Sequence, residues 1–295
     1  MKVLLTGATG YVGRHLLKAW ENEGWEIHAI SRNALSIKSL INGNVLLHNI
    51  DMCNKEQLNT FLEETKPAVI VHTAAMCKPN DCEIQQDVCY ANNVLATEYL
   101  AGFSEKNNSH LIFLSTDFVF SDKGFYKEKD AYSPINYYGK SKQLAEEEIV
   151  KSKCTYSIIR VVLVYGKVLN EQRATFVQWV QNNLLANKKM DIYTDQLRTP
   201  CYIKDLCWAI TELIKTQKQG VFHICGEEIF TPFSLAKLIA EHLRLDDSLI
   251  FPTNSKQKPE LAERPTNATL CVDKAKLEIG FKPTKMIDAL REIFG

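Results

Sequence analysis

Apolar positions along this chain come in two rhythms that alternate through its first half. Short runs of consecutive apolar residues occupy Lys2 to Thr6 (with Val3-Leu4-Leu5 at the centre), Trp25–Ile30, Val45–Ile50, Ala68–His72, His110–Ser115 and Tyr156–Val164. Runs of that length read as buried strands. Between them the apolar positions return every three or four residues, which predicts helices after the first run and near 54–65, 84–106 and 136–152. The first helix has Val12, Leu16, Ala19 and Trp20 on its apolar face and is expected to end at Gly24. Buried strands alternating with helices indicate an α/β fold: a doubly wound parallel sheet of the Rossmann type with right-handed crossovers.

Past residue 166 the alternation loosens. Helical spacing recurs near 174–187, 203–216 and 233–244, strand-like pieces near 190–193, 221–225 and 249–251, and short helices near 273–278 and 286–294. Phe251 to Pro265 is polar and carries prolines, as a loop does. The expected division is therefore a dinucleotide-binding domain over 1–166 and a smaller, mainly substrate-binding lobe over 167–295, set over the carboxyl edge of the sheet. Some segments of that lobe are expected to return to the first domain.

In such sheets ligands bind beyond the carboxyl ends of the strands, so the residues there are the ones to inspect. The first strand runs into Gly7-Ala8-Thr9-Gly10-Tyr11-Val12-Gly13 and then a helix. Glycines let backbone approach a pyrophosphate, and a helix start offers free N–H groups. No Lys-Ser/Thr follows, so a nucleotide-hydrolysing phosphate loop has no support. The second strand ends at Ser31-Arg32, where an NAD site is expected to carry an acidic residue. A hydroxyl and a cation suit a 2′-phosphate, hence NADP(H) over NAD(H); a solvated surface arginine is the plain alternative. Other strand ends carry Asp51-Met52, Thr73-Ala74-Ala75-Met76, Ser115-Thr116-Asp117 and Tyr165-Gly166.

Asn136-Tyr137-Tyr138-Gly139-Lys140-Ser141-Lys142 opens the helix near 136–152. Tyr138 and Lys142 are four apart and share a face with Ala145 and Ile149, so a phenol and an ammonium point inward together. Two readings stand. The ammonium lowers the phenol's pKa and makes it a proton donor near neutral pH, or the lysine snorkels to water from a helix start.

Composition narrows the class without choosing between these. The chain has 295 residues, 45% hydrophobic and 24% charged, with 35 basic against 35 acidic side chains. That balance points away from nucleic acid and anionic membranes as partners. No apolar run approaches a membrane span, and the strand-like start has no signal peptide ahead of it, so a cytoplasmic protein is expected. Nine cysteines (53, 77, 82, 89, 154, 201, 207, 225 and 271) include no C-x-x-C pair and read as reduced thiols. The seven histidines show no ligand spacing, so no metal site is expected.

Together, Gly7-x-x-Gly10-x-x-Gly13, Ser115-Thr116 and Tyr138-x-x-x-Lys142 resemble the extended short-chain dehydrogenase/reductase family. Ser115-Thr116-Asp117-Phe118-Val119-Phe120, Tyr138-Gly139-Lys140-Ser141-Lys142, Asp195-Gln196…Thr199-Pro200 and Arg264-Pro265-x-Asn267 are similar to its dTDP-4-dehydrorhamnose reductase branch. The resemblance covers essentially the whole chain. It implies an NADPH-dependent reductase of a 4-keto-6-deoxy nucleotide sugar, with nucleotide sugar as substrate partner; a homodimer is compatible with it, though the sequence does not fix the oligomeric state. Tyr138 would then donate the proton, Lys142 would hold the cofactor's ribose and depress the Tyr138 pKa, and Thr116 would fix the carbonyl oxygen. Asn93 matches a position with a structural or proton-relay role, and Asp51 and Met52 match positions that cradle the adenine. The cofactor set becomes Gly7, Thr9, Gly10, Tyr11, Val12, Gly13, Ser31, Arg32, Asp51, Met52, Thr73, Ala74, Ala75, Met76, Asn93, Ser115, Tyr138 and Lys142.

The chain departs from that branch at three places. Tyr11 replaces the usual Gln, as in the epimerase-like branch; Pro79-Asn80-Asp81-Cys82-Glu83 replaces Val-Asp-x-x-Glu; and Arg198-Thr199-Pro200-Cys201 replaces Gly-Ser-Pro-Thr. The family's 4,6-dehydratases place Glu after Thr-Asp, where Phe118 stands here. A nucleotide-sugar epimerase of the same family is one alternative. Lys78-Pro79-Asn80-x-x-Glu83 and His72-Thr73-Ala74-Ala75 also resemble the regulatory beta subunits of methionine adenosyltransferase, which implies a non-catalytic, NADP-binding regulatory subunit as another.

Overall fold

A computed structural model of the chain describes residues 1–41, 44–169 and 174–295. Its centre is a seven-stranded sheet, all parallel. The strands are β1 (Lys2–Thr6), β2 (Glu26–Ser31), β3 (Val45–Asn49), β4 (Val69–His72), β5 (His110–Thr116), β6 (Tyr156–Val161) and, joining late, a strand at Gly220–Ile224 that becomes β10 in chain order. Across the sheet they run β10-β6-β5-β4-β1-β2-β3, so the chain reverses its direction of winding between β1 and β4. Both faces are covered, which is why the strands read as continuous apolar runs rather than alternating ones. Val3 and Leu5 point to one layer, packed with α1 (Tyr11–Ala19) and the later α8 (Ile203–Thr216). Leu4 points to the other, with Ile70, Leu111 and Ile158, beneath α2 (Lys55–Thr65), α5 (Ala96–Asn107) and α6 (Tyr137–Ser152).

Three local readings of the sequence change, and a fourth, the return of a late segment to the first domain, takes a definite place. First, α1 stops at Ala19, short of Gly24, with Leu17 buried and Ala19 exposed. Trp20 anchors that end: its indole N–H donates to Thr211 Oγ1 at 2.9 Å and its ring meets Trp25 edge-on. Second, the helix expected over 84–106 begins at Pro79 and is interrupted. It runs α3 (Pro79–Ile84), a break at Gln85, α4 (Gln86–Tyr90), a π turn over Ala91–Leu95, then α5. A π turn widens the helix locally; here it carries Asn93, whose amide reaches Met76 at both N (2.8 Å) and O (3.0 Å).

Third, the run Tyr156–Val164 is not one strand. β6 ends at Val161, Leu163 takes a left-handed conformation (φ 34°), and β7 (Val164–Tyr165) pairs with β9 (Cys201–Tyr202) in a separate small sheet. The chain thus leaves the main sheet at the strand end that faces the ligand side. Fourth, residues 220–224 belong to the main sheet, pairing with β6. The other late elements are α7 (Phe176–Leu185), β8 (Met190–Tyr193), α9 (Pro232–Leu243), β11 (Ile250–Thr253), α10 (Asp273–Ile279) and α11 (Met286–Phe294), with β8 and β11 forming their own parallel pair. No helix among the described residues is long and apolar enough to cross a membrane.

Candidate active site

Beyond the carboxyl ends of β1, β2, β4, β5 and β6 lies a cleft of about 870 Å³. One end begins at the turn after β1. Gly7 has φ +69°, and a Cβ on it would fall 2.8 Å from the Ala74 amide nitrogen, so only glycine lets the turn close against the end of β4. Thr73 Oγ1 donates to the Thr6 carbonyl at 2.7 Å and the Ala74 N–H to Thr6 Oγ1 at 3.1 Å, which fixes the two strand ends together. Ser31, Arg32, Asp51 and Met52 line the same end, and the Ser31 hydroxyl is buried without a hydrogen-bond partner.

The other end is built by β5 and α6. Asn136 caps α6, its side chain accepting from the Gly139 N–H at 2.9 Å. Helix and strand end approach so closely that a Cβ at Gly139 would sit 2.0 Å from the Phe118 carbonyl oxygen. That approach brings Tyr138 beside Thr116 and edge-on to Phe118 at 5.8 Å. The Thr116 hydroxyl also donates to Asp117 Oδ1 at 2.9 Å and accepts from the Phe118 N–H at 3.3 Å. Two arginines close this end: Arg198 and Arg264 both lie against the Phe118 ring, at 5.7 and 5.8 Å.

Lys142 follows one turn after Tyr138, buried, with its ammonium 3.8 Å from the centre of the Phe113 ring. Glu146, one turn further, is fully buried and pairs with Arg160 of β6 at 2.7 Å. It also accepts from Ser115 Oγ and, at 2.9 Å, from the Tyr132 hydroxyl. These contacts pin the helix that carries Tyr138 to β5 and β6.

Residues 1–295 match the family described as "RmlD substrate binding domain". The chain belongs to the RmlD substrate binding domain family. It is 29% identical over 284 residues to methionine adenosyltransferase 2 subunit beta of Rattus norvegicus, covering 94% of this chain and 81% of that one. It is 26% identical to dTDP-4-dehydrorhamnose reductase of Aggregatibacter actinomycetemcomitans, covering 99% and 98%. The crystal structure of dTDP-4-dehydrorhamnose reductase from Bacillus anthracis in complex with NADP superposes with a TM-score of 0.88 at 25% identity, covering 99% and 98%.

In this RmlD-family chain most of the site residues expected from sequence line the one cleft: Gly7, Thr9, Gly10, Tyr11, Val12, Gly13, Ser31, Arg32, Asp51, Met52, Thr73, Ala74, Ala75, Ser115, Thr116, Tyr138 and Lys142. Met76 and Asn93 stand behind its wall instead. Asn93 is buried and joins Met76 to Ser141 Oγ (2.9 Å), and Ser141 in turn donates to the Tyr138 carbonyl at 2.8 Å. Its place is that of a brace between β4 and α6.

The electrostatics differ from the sequence expectation. Tyr138 is not lowered: burial, with Cys77 and Asp117 nearby, pushes the phenol above its ordinary range, and the neighbouring Thr116 hydroxyl works against this. Lys142 is itself brought down to about 7 by burial, against the pull of Glu146. An amine so shifted is only partly charged at neutral pH and has less charge to lend its neighbour. Asp117 is pushed up to about 6, mainly by burial, with Arg198 at 3.7 Å holding it back; its Oδ2 has no hydrogen-bond partner.

Several site residues escaped the sequence reading. Arg198, Arg264, Gln196 and Phe118 line the cleft and occur in the quoted motifs, yet motif membership alone gave them no role. Glu146 and Arg160 had visible signals: an acid four residues after Lys142 on the inward face, and a cation inside an apolar strand.

Proposed function

We propose that this protein is an NADPH-dependent reductase of a 4-keto-6-deoxy nucleotide sugar. The observation that carries the reading is a single cleft running from the Gly7 turn and Ser31-Arg32 to the paired hydroxyls of Thr116 and Tyr138. Its first end fits a dinucleotide phosphate: close backbone at Gly7, a buried partnerless hydroxyl at Ser31, and a guanidinium beside it. The nicotinamide, when bound, supplies the hydride. Hydride addition to a carbonyl builds negative charge on oxygen, so donors must already face that atom. Tyr138 is placed to give its proton to the oxygen while Thr116 hydrogen-bonds it. Because Asp117 accepts the Thr116 hydrogen in the free protein, Thr116 turns that hydrogen from Asp117 to the substrate when the oxygen arrives. Lys142 would hold the cofactor's ribose hydroxyls; hydrogen bonds donated by its ammonium to those oxygens would also favour its charged form and restore its pull on the Tyr138 proton. Arg198, Arg264 and Gln196 lie at the sugar-nucleotide end.

A second reading, an NADP-binding regulatory subunit, is favoured by the likeness to methionine adenosyltransferase 2 subunit beta. The loop that shares it is braced here: Asn80 Oδ1 accepts from the Ala262 N–H at 3.1 Å and from Arg264 at 3.3 Å. Supplying NADPH with dTDP-4-dehydrorhamnose and following nicotinamide absorbance separates the two. The reductase reading expects turnover, and a fall of about 10²–10⁴-fold in Tyr138→Phe with cofactor affinity unchanged. Tight NADPH binding with no turnover on several keto-sugars supports the regulatory reading instead.

A further inference from the structure

Behind the cleft wall are two thiols that the proposed chemistry does not use. Cys82 on α3 and Cys89 on α4 are each fully buried. They stand on either side of the break at Gln85, each sulfur in contact with the Met76–Asn93 pair. The same few atoms hold both: the Cys82 thiol donates to the Met76 carbonyl at 3.3 Å, and the Asn93 amide donates to that carbonyl at 3.0 Å and to Cys89 Sγ at 3.3 Å. Ser141, which bonds to Asn93, lies between Tyr138 and Lys142 on the helix in front.

We infer that Cys82 and Cys89 form a reversibly oxidisable dithiol, a modification site for hydrogen peroxide, whose disulfide form alters the brace behind Tyr138 and Lys142. The two sulfurs are not equivalent. Cys89 is drawn down, chiefly by the neighbouring Cys82 thiol, with the Asn93 amide donating to it and Ser141 and Lys142 near, while Cys82 is pushed up by the same sharing. A thiolate held by a neighbouring thiol is the nucleophile such chemistry needs. The Cys89 thiolate attacks one peroxide oxygen and, with one proton, gives a sulfenic acid and water. The Cys82 sulfur then displaces a second water as the Sγ–Sγ bond forms, so the thiols lose two electrons and one peroxide becomes two waters. Access is through local opening: α3 and α4 are six and five residues long, and their outer face carries exposed Ile84 and Val88. Closing the bond removes the Cys82 hydrogen from Met76 and the partial negative charge beside Lys142.

The test is to treat the full-length protein with peroxide at about equal concentration, block remaining thiols, digest without reduction and identify bridged peptides by mass spectrometry. A Cys82–Cys89 peptide is expected, with the thiol count in denaturant falling by two from nine and returning after dithiothreitol. Cys82→Ala should abolish both the bridge and its reversibility. A bridge between other cysteines, an unchanged thiol count, or the same reversible loss in Cys82→Ala would each overturn the proposal; the bridged peptide is read on the unsubstituted chain, so a poorly folding variant does not blunt the result.

Discussion

Replacing Glu146 by Gln should cost about 3 kcal/mol of stability, at the lower end of what breaking a buried ion pair costs. The magnitude follows from what the substitution leaves behind. Glu146 is 0% exposed and Arg160 1% exposed, and their contact is two-pronged: Nη2 to Oε2 at 2.7 Å, Nε to Oε1 at 3.1 Å and Nε to Oε2 at 3.2 Å. A glutamine keeps the volume and can still accept from Ser115 or Tyr132, but it leaves the guanidinium charged and out of water. The loss stays near the lower bound because Arg160 keeps other company. It donates to the Glu128 carbonyl at 3.2 Å and lies over the Phe120 and Tyr132 rings at 5.0 and 5.1 Å. Equilibrium urea unfolding followed by far-UV circular dichroism reads the effect as a lower midpoint with an unchanged slope. For a chain of this length the melting temperature should fall by about 6 °C. The double variant Glu146→Leu/Arg160→Met should recover most of the loss, since two apolar side chains leave no buried charge. A loss below about 1 kcal/mol in Glu146→Gln, or no recovery in the double variant, would refute the reasoning.

Two further expectations test the two ends of the cleft. Arg32→Ala should weaken NADPH binding by about tenfold or more while leaving NADH nearly unchanged, as isothermal titration would show, because a charge-assisted bond to the 2′-phosphate is worth about 1.5–3 kcal/mol; equal losses would remove Arg32 from that role. Asp117→Asn probes the raised carboxyl. A native group near 6 holds a proton that the unfolded chain has released above about 4, so stability falls as pH rises through that window, by about 3 kcal/mol for this group. The asparagine variant lacks that loss, and its stability relative to the unsubstituted protein should rise between pH 4 and 7; a pH-independent difference would contradict the burial of an unpartnered Asp117 oxygen.

The strand, turn and helix order of the first half was legible because its cause is local. Apolar runs at Val3-Leu4-Leu5 and His110–Ser115 need burial on both faces, and Gly7 is needed where φ is positive. The i, i+4 spacing likewise puts Tyr138 and Lys142 on one helix face. What the chain alone did not carry was everything that depends on distant segments meeting. The break of the helical stretch expected over 84–106 into α3, α4, a π turn and α5 goes with Asn93 reaching Met76, seventeen residues away. The return of Gly220–Ile224 to the main sheet is a pairing with β6, invisible to a window of a dozen residues. The state of the central pair was decided the same way. Spacing suggested an ammonium that lowers a phenol, but burial is a property of the whole fold, and it raises Tyr138 while weakening the hold of Lys142 on its proton. Sequence determined which groups stand side by side; only the tertiary structure, by removing water from around them, decided how each of them holds its proton.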